Sequence, residues 1–97
     1  KVAQIIWSAR ALEDAELIAE YIARDSSEQA ALFVSRLIEA VDYLKDFPNS
    51  GRIIPEISHP SCREVLYKSF RIMYFLKENE TWITQVVHGA RNWKPWP

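Results

Sequence analysis

Three arginines, a histidine and a glutamate in the second half of this chain have the types and spacing to act on phosphate. Arg63 opens one strand-like run, Arg71 lies in the next, and Arg91 follows the last. His88 closes that last run, and Glu56 stands in the loop before the first. Cleavage of RNA by its own 2′-hydroxyl needs a base for that hydroxyl, an acid for the departing 5′-oxygen, and cations for the charge on the phosphorane. Glu56 or His88 has the chemistry of base or acid, since both roles need a pKa within reach of neutrality. Arg71 and Arg91 offer bidentate geometry to phosphate oxygens. The same residues also suit a purely structural role. Glu56, Glu64 and the arginines would then be ion pairs on a solvated sheet rim, and His88 would satisfy a backbone carbonyl. Spacing alone leaves both readings open.

Other chemistries find less support. His59 and Cys62 are three apart in a loop, but two ligands do not close a zinc site. No metal or cofactor is expected. Cys62 as a nucleophile with a histidine base would rest on inventory alone. With two glycines in the chain there is no phosphate-binding glycine loop.

The elements that must hold these residues follow from periodicity. Residues 2–7 (VAQIIW) are β-branched and aromatic and read as a strand. Ser8 then suits an N-cap, and Ala11, Ala15, Ile18 and Ile22 make one helical face, predicting a helix over 9–24. Ser26 and Gln29 fit a capping box. Ala30, Val34, Leu37, Val41 and Leu44 continue it as a second amphipathic helix over 28–46, stopped by Pro48. The short connection makes the two helices antiparallel neighbours. Residues 47–62 hold three prolines and a glycine and show neither period. A loop this long in a small domain is often functional. Three strands follow, over 63–67, 70–77 and 81–88, the first two joined by the tight turn Lys68-Ser69. In the middle strand Phe70, Ile72, Tyr74 and Leu76 share the face expected to pack on the helices. Arg71, Met73, Phe75 and Lys77 share a mixed apolar and basic floor. The order β-α-α-β-β-β is an α+β plan: an antiparallel helical hairpin on a mostly antiparallel sheet.

The bulk numbers set limits. Residues 1–97 are expected to form a single domain with one modest core, with 92–97 as a short tail. The lone Cys62 cannot form an internal disulfide, and no apolar run approaches the ~20 residues that span a bilayer. The start, KVAQIIWS, has no signal-peptide pattern, so the expected location is the cytoplasm, with no membrane partner. A net charge of -1 and a pI of about 6.1 lack the basic excess usual in nucleic-acid binders.

Several ordered segments carry a resemblance: "WSARALEDAELIAEYI", "FPNSGRIIPE", "REVLYKSFRIMYFL" and "VVHGAR". Together, from Trp7 to Arg91, the chain resembles the RelE/ParE superfamily of bacterial toxins. The resemblance implies the same fold. It also implies a type II toxin–antitoxin module, in which a cognate antitoxin wraps this chain as a hetero-oligomer. RelE-like members cleave mRNA in the ribosomal A site, whereas ParE-like members poison DNA gyrase. In the ribonuclease branch, the arginine of the strand motif matches Arg71, and the arginine after the last strand matches Arg91. One of two strand lysines falls on Arg63, but the other falls on Val65, so a cation is missing. A glutamate in a Pro-Glu loop of a related branch matches Glu56, and a histidine near the last strand matches His88. The C-terminal tyrosine of the ribonucleases has no counterpart, because the tail offers Trp93 and Trp96 instead.

The missing cation and the acidic balance favour a ParE-like gyrase poison over a ribosome-dependent ribonuclease, since a ribosome presents a dense phosphate surface. A non-toxic relative that only binds an antitoxin is a third reading. Trp93 and Trp96, with Arg91 beside them, are candidates for gripping a partner, tryptophan being a common interface anchor. The alternative is that the tail folds back over the sheet.

Overall fold

The structure, a computed structural model, describes residues 3–89 and 93–95. A first strand, β1 (Gln4–Trp7), leads into helix α1 (Ala9–Ala23) and then helix α2 (Ser27–Tyr43). A two-residue strand, β2 (Arg52–Ile53), precedes β3 (Cys62–Tyr67), β4 (Phe70–Lys77) and β5 (Glu80–His88). The sheet order is β1-β5-β4-β3-β2, parallel only between β1 and β5. The expected α+β plan of two helices on a mostly antiparallel sheet is thus present.

Both helices start where their caps are written. The Ser8 hydroxyl accepts from the Ala11 amide at 3.0 Å, and the Ser26 hydroxyl accepts from Gln29 at 3.1 Å. Each satisfies an amide that the first helical turn leaves without a partner. Helix α2 ends at Tyr43, three residues short of the expected 46. Leu44 and Lys45 instead donate to Val41 and Asp42, three residues back, so the chain tightens before Phe47-Pro48.

The helices bury Ala11, Phe33, Leu37 and Val41 against Ile72 and Tyr74 of β4 and Ile83 and Val86 of β5. Ile83 and Val86 reach one core despite their odd and even positions. The reason is a bulge: Met73 pairs with Gln85 but Tyr74 pairs with Ile83, leaving Thr84 extra. Ser8 and Asp14 serve that end of β5. Strand β1 leaves the sheet after Trp7, and the Ser8 hydroxyl donates to the Thr84 carbonyl at 3.1 Å. The Val86 amide donates to Asp14 Oδ2 at 3.0 Å.

The proline-rich loop departs from its expected lack of strand. Arg52 and Ile53 pair antiparallel with Glu64 and Arg63. Two residues cannot show a period; tertiary anchors make this strand. The Tyr74 hydroxyl, buried beneath the loop, donates to the Pro48 carbonyl at 2.7 Å and accepts from the Gly51 amide at 2.9 Å. Burial pushes the Tyr74 pKa up, so the hydroxyl stays a donor. Arg63 adds bonds from its guanidinium to the carbonyls of Pro60, Asn49 and Gly51.

Gly51 is where the loop touches the sheet. A Cβ there would sit 2.5 Å from the Tyr74 hydroxyl and 2.7 Å from the Glu64 carbonyl oxygen. Gly51→Ala is therefore expected to destabilise the fold by about 1–3 kcal/mol, the usual range for overpacking. Urea unfolding of the two proteins measures it, and an unchanged midpoint would contradict this account of the loop.

Candidate functional site

The floor of the sheet, on the side away from the helices, carries a buried ion network. Antiparallel register places Leu66 of β3 opposite Arg71 of β4, and Glu64 opposite Met73. Glu64 and Arg71 therefore rise from the same face of neighbouring strands, one pair apart. Arg71 Nε donates to Glu64 Oε1 at 2.7 Å, and both residues are buried. The other end of the guanidinium makes a bidentate pair with Glu56, at 2.9 and 2.7 Å. Glu56 is brought there by the turn after β2, in which the amides of Ile57 and Ser58 both donate to the Ile54 carbonyl. The second Glu64 oxygen accepts from Arg52 Nε at 2.6 Å. The order across the floor is Glu56, Arg71, Glu64, Arg52.

Electrostatics follow from the contacts. The hydrogen bonds from Arg71 hold the Glu56 carboxyl far below its ordinary 4.5, at about 2, against the opposing effect of desolvation. Arg71 is shifted up, chiefly by its bonds to Glu56 and secondarily by Glu64. Glu56 is thus a fixed anion at neutrality and has no proton to give. Arg71 has its Nε and both terminal nitrogens committed to carboxylates. The guanidinium also lies over the Trp93 ring, 5.6 Å from its centre. Trp93 Nε1 donates to Gln85 Oε1 at 3.2 Å, which holds the indole over the floor. A cleft of about 320 Å³ opens beside the network, lined by Arg52, Pro55, Glu56, Lys68 and Arg71 among others.

The residues singled out for phosphate chemistry do not gather in one place. Glu56 and Arg71 meet. Arg63 pairs with Tyr74 and so lies on the opposite, helix-facing side, spent on loop carbonyls. His88 pairs with Phe70 and also lies on the helix side. Its ring meets Phe70 edge-on, 5.3 Å between centres. There it borders a separate cleft of about 180 Å³ with Arg10, Asp14 and Leu17 of α1. Arg91 and Trp96 lie outside the described residues. Two members of the network carried weaker signals. Glu64 was legible only as an ion-pair partner on a rim, although it is fully buried. Arg52 stood only within the FPNSGRIIPE segment, with no role attached, because its place depends on a strand of two residues. Among the described residues, no three metal-binding side chains come together, and no helix is long and apolar enough to cross a membrane.

Comparison with known proteins gives a consistent result. The family described as ParE toxin of type II toxin-antitoxin system, parDE, matches residues 5–93. Toxin RelE2 of Caulobacter vibrioides is 32% identical over 93% of this chain and 99% of its own length. The putative toxin Y4kP of Sinorhizobium fredii is 32% identical over 93% of this chain and 92% of its own. A solved structure of the chromosomal ParDE TA system from P. aeruginosa superposes with a TM-score of 0.74 at 22% identity, covering 90% of this chain and 96% of that one. At that identity the structural match speaks to the fold.

Two substitutions probe the network. Because the folded Glu56 pKa is depressed, its pairing stabilises the protein above the ordinary value of 4.5 and is lost as pH falls towards about 2. Unfolding midpoints of the unmodified chain should fall across that window, and Glu56→Gln should remove part of the fall. Glu64→Gln leaves two guanidinium groups without their shared anion, and is expected to destabilise by about 3 kcal/mol or more. Denaturant titration at neutral pH checks the second expectation.

Proposed function

We propose, from the premise that this chain belongs to the ParE toxin family of type II toxin–antitoxin systems, that it acts on DNA gyrase rather than by cutting messenger RNA. The observation that carries this reading is the clamp on Arg71. A ribonuclease of the related branch needs that arginine free for a phosphate. Here its nitrogens are engaged by Glu56 and Glu64, and its charge lies over the Trp93 ring. Glu56, held ionised to about pH 2, is a poor general base and no general acid at neutrality. His88, the other candidate for proton transfer, stands on the far side of the sheet. The net charge of -1 also suits a protein target better than a ribosomal surface.

An antitoxin is the expected neutralising partner, since the similar P. aeruginosa structure is that of a ParDE toxin–antitoxin system. Exposed Leu12, Leu17, Tyr21, Ile38 and Tyr43 give the helical hairpin apolar surface for such a partner. A messenger-cleaving second reading draws support from the name RelE2 carried by the Caulobacter relative.

A paired assay on the purified chain separates the readings. Gyrase-dependent DNA cleavage complexes with intact messenger are the expected result. Codon-linked cuts on translating ribosomes, lost in Arg71→Ala, would overturn the gyrase reading. Unimpaired growth on expression without antitoxin would instead mark a relative that has lost its toxicity.

A further inference from the structure

Strand β1 ends the sheet on its side and pairs only with β5. Its backbone groups point alternately to the two sides. The Gln4 amide donates to the Asn79 carbonyl at 2.8 Å and the Ser8 amide to Ile83 at 3.0 Å, so Gln4, Ile6 and Ser8 face β5. Ala3, Ile5 and Trp7 therefore face outward. The Ala3 amide donates to the Lys45 carbonyl at 2.9 Å. Among the described residues, nothing bonds the outward N–H and C=O of Ile5 and Trp7. Edge strands commonly carry a charge, a proline or a bulge that discourages pairing with another chain. The border at β2 has Arg52 in its strand and Pro55 just after it. The QIIW run of β1 has no such guard.

This open row is complementary to itself. In an antiparallel pair, an outward-facing residue must meet another outward-facing residue. Ile5 set opposite Trp7 of a second copy, and Trp7 opposite its Ile5, meets that condition, each pair exchanging both hydrogen bonds. Ile6 then lies on the two-fold axis, opposite Ile6 of the second copy. With Ile5 on the axis instead, Trp7 would meet Ala3, whose amide is already taken by Lys45. With Trp7 on the axis, Ile5 would meet Ala9, which is already helical.

The side chains agree with this register. Ile5 and Trp7 pack against the core on the helix side. Ile6 lies on the floor side, in register with Trp82, which pairs with Phe75, which pairs with Cys62. These make an apolar row across the floor, and Phe75 in it is exposed. A two-fold axis normal to the sheet keeps both floors on one side, so the row meets its own copy at Ile6 and continues. Because QIIW is uncharged, pairing it with itself opposes no like charges.

We propose that two copies of this chain associate through β1, Ile6 against Ile6, so that their sheets join into one. A strand of 4 residues makes a small contact, so the pair is weak and reversible. The inference is independent of the toxin's target.

Disulfide trapping of the full chain tests it, in a Cys62→Ser background. Residues facing each other on the axis have Cα atoms about 4.5 Å apart, within disulfide reach. Ile6→Cys is expected to form a covalent dimer about tenfold faster than Ile53→Cys, an exposed position on the opposite border, because pairing raises its local concentration. Ile5→Cys, which faces Trp7, should show no such acceleration. Sedimentation of the unmodified chain should show a dimer that grows with concentration, and Ile6→Lys, which opposes two charges on the axis, should abolish it. Equal trapping rates for Ile6→Cys and Ile53→Cys, faster trapping of Ile5→Cys, or a chain that stays monomeric at every concentration each overturn the proposal. If the Ile6 variants do not fold, amide exchange of the unmodified chain decides. Protection of Ile5 and Trp7 that rises with concentration supports the pairing, and protection that is independent of concentration overturns it.

Discussion

A guanidinium taken out of water in the middle of a sheet must bring its countercharges with it, and Arg71 brings two. Glu64 comes from the neighbouring strand and Glu56 from the turn after β2, so one side chain joins the sheet to the loop that crosses its end. Trp93 then lays the tail over the same group. A buried network of this kind adds little net stability over an apolar replacement, but pulling its members apart strands a charge without a partner. On the side away from the helices, this one cation links the loop, the floor and the described part of the tail.

On the opposite face the loop is fixed by different means. Tyr74 reaches through the core to bond Pro48 and Gly51, and Arg63 spreads over three carbonyls. A segment with three prolines has few amides to donate and many carbonyls to satisfy, and these two side chains meet that need. The Phe-Pro-Asn-Ser-Gly-Arg run is thus a structural signature: proline stiffens, glycine allows close approach, and Arg52 ends beside Glu64. The sheet therefore divides its cations by task. Arg63 supports backbone on one face, while Arg71 and Arg52 balance carboxylates on the other.

The helices, their caps and the three long strands were legible because each repeats over many residues. Ser8 and Ser26 act as the caps their positions suggest, and Phe70, Ile72, Tyr74 and Leu76 share the core-facing side. The bulge at Thr84 and the short strand at Arg52 were not legible, since each rests on contacts between distant segments. The grouping of the site was missed for a related reason. Arg63, His88 and Arg71 look like one cationic set along the chain, but strand alternation puts the first two on one face and the third on the other. A one-residue difference in position decides the face, and only the pairing register fixes it. Glu64 could be read as a charge among apolar neighbours, but not as the hub between two arginines.

The bulged end of β5 has its own consequence. With Ser8 holding the Thr84 carbonyl and Asp14 holding the Val86 amide, the first turns of α1 take the place of a strand there. Side chains bond those two groups without offering a new backbone row, so at this stretch of β5 an incoming chain finds neither of them free. The opposite border stops at a strand of two residues. The long strands thus end differently: past Trp7 the exposed row of β5 is met by side chains of the cap and first turns of α1, whereas β3 runs on beyond its two-residue neighbour β2.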